Sequence, residues 1–210
     1  MKTRILVTFF CTMGMLNVSA QKTQKFSYGI TAGLSSGSVK ITGIGEHFAG
    51  VVRGQNILGM EGGFYTKIKM NPLYIKPSVA IHYKCGTADM INAEGVAYTK
   101  ADFKMTRLQV PILFGVNLSG PVSAEVGPIY NYVLGVTDQF SIYAADVPRN
   151  GLGYRAGVNV ELDWVTLGVS YQAITNRFST RGTFETPDEV MVSAAFTIAS
   201  KGGMAPYGKK

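Results

Sequence analysis

Val165-Thr166-Leu167-Gly168-Val169-Ser170-Tyr171-Gln172-Ala173 alternates without a break: Val165, Leu167, Val169, Tyr171 and Ala173 share one parity, and small or polar residues take the other. Period-two alternation of this kind makes a strand with one apolar and one polar face, and no helical period reproduces it. The pattern recurs near the C-terminus, where Val190, Val192, Ala194, Phe196 and Ile198 face away from Met191, Ser193, Ala195 and Thr197. Working outward, similar stretches fall at 26–36, 59–70, 73–84, 103–117, 121–135, 151–162, 165–175 and 189–199. Their connections alternate in length. Asn71-Pro72, Leu118-Ser119-Gly120 and Asp163-Trp164 are short, whereas 37–58, 85–102, 136–150 and 176–188 are long. An even number of antiparallel strands with short turns at one end and long loops at the other is the pattern of an up-and-down transmembrane β-barrel with both termini in the periplasm. The expected fold is therefore all-β, an eight-stranded antiparallel barrel of the cell outer membrane.

Side-chain parity gives an independent check. Tyr83, Tyr132, Tyr154 and Tyr171 have outward parity and fall near the extracellular strand ends, as an interfacial aromatic girdle requires; Phe26, Tyr28 and Trp164 can supply the periplasmic girdle. Inward parity collects Glu61, Lys67, Lys69, Lys76, His82, Arg107, Gln109, Glu125, Asn131, Arg155, Asn159 and Glu161, interspersed with glycines. Both signs occur toward each end. Because eight strands enclose a lumen that side chains fill, these charges are expected to pair in a plugged interior.

The N-terminus has the three parts of a secretory signal: Met1-Lys2-Thr3-Arg4, an apolar run from Ile5 to Leu16, and Val18-Ser19-Ala20 before Gln21. The expected division is a signal peptide over 1–20, the barrel over 21–200 and a short polar tail over 201–210. Removal of Lys2 and Arg4 lowers the formal charge from +7 to +5. The surplus is spread over strands and tails without a compact basic patch carrying interleaved aromatics, which disfavours nucleic acid as a partner. Cys11 leaves with the signal, so Cys85 stands alone and makes no intramolecular disulfide.

Two segments carry a family resemblance. Thr106-Arg107-Leu108-Gln109-Val110-Pro111-Ile112-Leu113-Phe114-Gly115, followed by Ala124-Glu125-Val126-Gly127-Pro128-Ile129-Tyr130-Asn131-Tyr132-Val133-Leu134-Gly135, resembles the PorT-like outer-membrane β-barrel domain family of Bacteroidota. Leu73-Tyr74-Ile75-Lys76-Pro77-Ser78-Val79 is similar to that family's tyrosine–apolar–polar–proline strand. The resemblance implies an outer-membrane location and an eight-stranded barrel of the small OmpA/OmpX type. For one branch of the family it also implies a part in protein export by the type IX route. The chain departs from the general barrel pattern at its end, where Phe196 is the last aromatic of the final strand and a polar tail follows.

Catalytic chemistry has few candidates. Some small barrels modify lipids at their outer rim with a Ser, a His and an acid. Here His47 and the acids Asp89, Glu94, Asp102, Asp138 and Asp146 lie in loops at one end, where they read as ordinary solvated residues. His82 reads as a lumen hydrogen-bonder. Gly151-Leu152-Gly153…Gly157 has dinucleotide-like spacing but opens a period-two strand instead of a helix. No catalytic, cofactor-binding or metal-binding residues are assigned, and no cofactor is expected. Tyr98, Phe140, Ile142, Tyr143 and Phe178 give the loops a modest apolar surface. The expected partners are outer-membrane lipid and lipopolysaccharide, with envelope or secretion proteins reached through extracellular loops. The expected function is thus a non-enzymatic outer-membrane barrel, structural or interacting through its loops. The alternatives are a rim-active lipid-modifying enzyme, a small pore and a soluble lipocalin-like barrel; the outward apolar faces argue against the last, which would turn its apolar side inward.

Overall fold

The fold is that of a computed structural model, which describes residues 25–45, 48–91, 97–138, 149–179 and 182–201. Eight strands follow in order: β1 (Lys25–Gly45), β2 (Phe48–Met70), β3 (Leu73–Ile91), β4 (Ala97–Ser119), β5 (Val122–Asp138), β6 (Asn150–Glu161), β7 (Val165–Ser179) and β8 (Gly182–Lys201). Each pairs antiparallel with the next, and β8 pairs with β1 to close the barrel. Closure leaves no free sheet edge around the wall, as a sheet surrounded by hydrocarbon must.

The period-two reading holds in every strand. Leu34, Met60, Phe64, Ile81, Phe114, Val126, Val158, Val169 and Val192 stand exposed on the outer surface, while Ser35, Glu61, His82, Arg107, Glu125, Arg155 and Glu189 are buried inside. An apolar exterior around a charged interior inverts the arrangement of a soluble barrel, and it is stable where the exterior meets lipid. The periplasmic girdle is present as ring pairs, Phe26 with Tyr28 at 6.3 Å and Trp164 with Phe196 at 5.8 Å. On the extracellular half, Tyr154 and Tyr171 lie 6.2 Å apart on the outer face.

Short turns join the strands at the periplasmic end and are tied to their neighbours. The Asn117 amide donates to the Pro72 carbonyl at 2.8 Å, and the Glu161 amide donates to that of Pro121 at 2.7 Å. Gly120 adopts a left-handed φ of 57°, the conformation a glycine tolerates best at a two-residue reversal.

Two expectations are corrected. Stretches read as long loops are largely strand: β1 and β2 stay paired from Val39↔Gly54 to Gly45↔Phe48, and β3 and β4 from Cys85↔Lys104 to Ile91↔Ala97. Ladder hydrogen bonds need only backbone, so a glycine-rich hairpin continues upward whatever side chains it carries. Register shifts at Gly37/Val39 and Arg53/Leu58 lie where the hairpin begins to run on beyond the apolar band. The interior is also less uniformly polar than parity alone suggested. Ile57, Met105, Leu113, Ile129, Ile174 and Met191 are buried among the charges, and Tyr65 and Tyr74 point inward as well. Gly115 makes room for one of these: a Cβ there would overlap the Tyr74 ring.

Candidate functional site

The lumen holds three tiers of paired charge. At the periplasmic end Lys67 and Lys69 both bond Glu161, the latter at 2.7 Å, and Lys76 is bidentate on Glu125 at 2.8 Å to each oxygen. Tyr74 donates to Glu125 at 3.1 Å, and its ring lies 3.8 Å beneath the Lys67 ammonium. In the middle tier Arg155 spans the bore. Its guanidinium reaches Glu61 through two nitrogens at 3.1 and 2.6 Å, and it also donates to Gln109 at 3.1 Å and Gln172 at 2.7 Å. Bidentate geometry of this kind is strong and directional.

The outer tier is built around Glu189. Ser35 donates to its Oε1 at 2.6 Å, the Lys84 ammonium is 2.8 Å from Oε2, and Arg107 donates to Oε2 at 3.2 Å. Arg107 also contacts His82 Nδ1 at 2.5 Å. A guanidinium can only donate, so Nδ1 accepts and the ring proton sits on Nε2, facing Ser35 at 3.0 Å and Glu189 at 3.2 Å. Lys84, His82, Arg107 and Glu189 are all fully buried. A glycine at position 59 is required here, because a Cβ would overlap Ser35 Oγ and approach His82 Nε2 to 2.7 Å.

Ser35, His82 and Glu189 are therefore the three residue types of a hydrolase triad. Their geometry is not that of one. Serine and acid approach the same imidazole nitrogen while the other nitrogen faces a cation, so the acid cannot orient the ring for proton abstraction, and no substrate reaches a group with no exposed surface. The tier works as a plug: one carboxylate gathers two cations, an imidazole and a hydroxyl from β1, β3, β4 and β8.

All twelve inward polar residues read from the sequence face the lumen side of their strands, and Glu61 with Arg155, Lys76 with Glu125, and Lys67 and Lys69 with Glu161 form pairs. Sequence reasoning missed Lys84 and Glu189. Each falls on the terminal residue of its expected strand, and continuing the inward parity by one step would have found both. At the rim, His47, Glu94, Asp146, Phe140, Ile142 and Tyr143 lie outside the described residues, as do the side chains of Asp89, Tyr98, Asp138 and Phe178. Asp102 is exposed on β4. Cys85 is a free, half-buried thiol at an outward position of β3. The 151–157 glycine spacing lies within β6.

No family model matches the chain, and no curated protein matches it. Among solved structures it is similar to Ail, the attachment invasion locus protein of Yersinia pestis, in complex with the heparin analogue sucrose octasulfate. That match has 13% identity over 84% of this chain and 100% of the other, with a TM-score of 0.46. Neisserial surface protein A matches at 16% identity over 82% and 99%, TM-score 0.46. The outer membrane protein OprG of Pseudomonas aeruginosa matches at 9% over 88% and 99%, TM-score 0.49. The functional reading rests instead on the residues of this chain. Its closed antiparallel wall, apolar exterior and charge-filled bore are those of a small eight-stranded outer-membrane β-barrel.

Proposed function

We propose that the protein is a non-enzymatic, non-conducting outer-membrane barrel of the PorT-like kind, which works by presenting its extracellular hairpins to lipopolysaccharide and to envelope or secretion proteins. The observation that carries this reading is the outer tier. With Glu189, Lys84, Arg107 and His82 fully buried across the bore, the described residues of the lumen leave neither a solute path nor a reachable catalytic group. Among the described residues, the strand extensions beyond the apolar band, where β1–β2 and β3–β4 continue as paired hairpins, are available at the cell surface. A rigid scaffold holding such segments is the usual way a barrel recognises a partner. The motifs around Arg107–Gly115 and Glu125–Gly135 support the PorT-like assignment, and with it a role as an accessory of protein secretion.

The test is chemical cross-linking in native outer membranes followed by recovery of the tagged protein, with heat-modifiable gel mobility as the control for a folded barrel. Reproducible recovery of secretion or surface-assembly components, lost on shortening the β1–β2 or β3–β4 hairpin, is the expected result. Recovery that survives removal of both hairpins would overturn the proposal, as would a lipid A or phospholipid modification that depends on the protein.

A further inference from the structure

Between the periplasmic and middle tiers lies a cavity of about 30 Å³. Its walls include the hydroxyls of Thr31, Ser78, Thr166, Ser170 and Ser193, together with the ion pairs Glu61–Arg155 and Lys76–Glu125. Ser170 is more than nine-tenths buried, and its Oγ has no hydrogen-bond partner among the described residues. A buried hydroxyl with nothing to bond is costly, and a polar cavity beside it with several donors and acceptors is where an ordered ligand resolves that cost.

The lining also specifies what the ligand is. Two carboxylates are matched by two cations, so the walls carry no net charge to hold an ion of either sign. Hydroxyl groups both donate and accept, which suits a ligand that does the same. The volume admits one or two molecules of water size.

Access has a direction. Side-chain exposure is 33% at Lys69, 20% at Glu161, 16% at Lys76 and 10% at Lys67 around the periplasmic mouth, only 3–7% at Glu125, Arg155 and Glu61 further in, and zero at Lys84, Arg107, His82 and Glu189. Solvent thus enters the bore from the periplasmic mouth and stops at the outer tier. We propose that the barrel contains a hydration site at Ser170, filled by water that exchanges with the periplasm alone, so that the lumen is a one-ended vestibule. This goes beyond the interaction role proposed above and stands or falls separately from it.

The test places a thiol at the site. Ser170→Cys, made together with Cys85→Ala to remove the native thiol, is inserted in one orientation into lipid vesicles, and orientation is read by protease cleavage of the extracellular hairpins. Silver ion, a thiol-reactive cation of near-water size, is then applied to one side only. The thiol remaining is titrated with a maleimide after unfolding. The expected result is loss of the free thiol when silver is on the periplasmic side and retention when it is on the extracellular side. Loss from both sides would show an open bore, and retention from both a sealed one; either overturns the proposal. Ser193→Cys, on the same cavity wall, gives a second reading should the first variant fail the heat-modifiability control.

Discussion

Replacing Glu189 with glutamine removes the negative charge around which the outer tier is built while keeping its shape. Lys84 lies 2.8 Å from the carboxylate and Arg107 3.2 Å away. At an effective dielectric near 20, those separations correspond to gross attractions of about 6 and 5 kcal/mol. The variant does not lose the whole sum, because the desolvation cost of the carboxylate disappears with its charge and the glutamine oxygen still accepts a hydrogen bond. Removing one partner from a buried ionic cluster costs about 3–5 kcal/mol overall, and that is the expected loss for Glu189→Gln. Lys84→Met behaves differently. It leaves Arg107 and Glu189 as a balanced pair and fills the same volume with an apolar chain, so its expected cost is about 1 kcal/mol or less. Trp164 is the only tryptophan of the chain and stands on the outer surface, so its fluorescence reports urea unfolding from lipid vesicles without an added label. A Glu189→Gln barrel within about 0.5 kcal/mol of the parent, or a Lys84→Met barrel as unstable as Glu189→Gln, would refute the single-anion account of the tier.

Other expectations follow from the same geometry. Arg155→Met strands Glu61 in the bore and removes the donor to Gln109 and Gln172, so it should cost about 3–5 kcal/mol in the same unfolding assay. Gly115→Val places a side chain in the Tyr74 ring and should abolish the heat-modifiable gel shift, with partial recovery when Tyr74→Ala is added. Val169→Arg sets a charge on the lipid face between Val158 and Val192 and should cost about 2–4 kcal/mol, whereas an equally polar change on an exposed extracellular residue such as Asp102 should leave stability near the parent. Single-channel recording of the purified barrel should show no stable, large conductance, and the appearance of one would remove the plug from the account.

Much of this architecture is legible from alternation alone, because each wall residue meets either lipid or the bore and the two demand opposite chemistry. The segment 165–173 has no competing reading, and its neighbours β6 and β8 pair with it so that outward apolar residues meet, Val158↔Val169 and Val169↔Val192. The same logic located the charges of the two lower tiers. It failed at strand ends. Lys84 and Glu189 sit where the apolar partner positions give out, so nothing on the outer face marks them as part of the wall. The hairpin above them was hidden for a related reason: the glycines at 37, 43, 45, 50 and 54 look like a loop, while backbone pairing holds β1, β2 and β8 together there regardless of side chain. Which inward residues pair across the bore depends on how strands far apart in sequence come to lie opposite one another, as β2 and β6 do where Glu61 meets Arg155, and strand parity carries no such information.

The central claim, a lipid-facing wall around a plugged bore, is tested most directly by spin labels placed one at a time from position 165 to 173 in a Cys85→Ala barrel embedded in lipid. Collision with oxygen, which concentrates in hydrocarbon, should be high at 165, 167, 169, 171 and 173 and low at 166, 168, 170 and 172. A bulky water-soluble nickel chelate should reach none of the four even positions. Strong collision with the chelate at the even positions would mean a wide aqueous channel, and oxygen accessibility without alternation would mean that the segment is not a membrane-spanning strand.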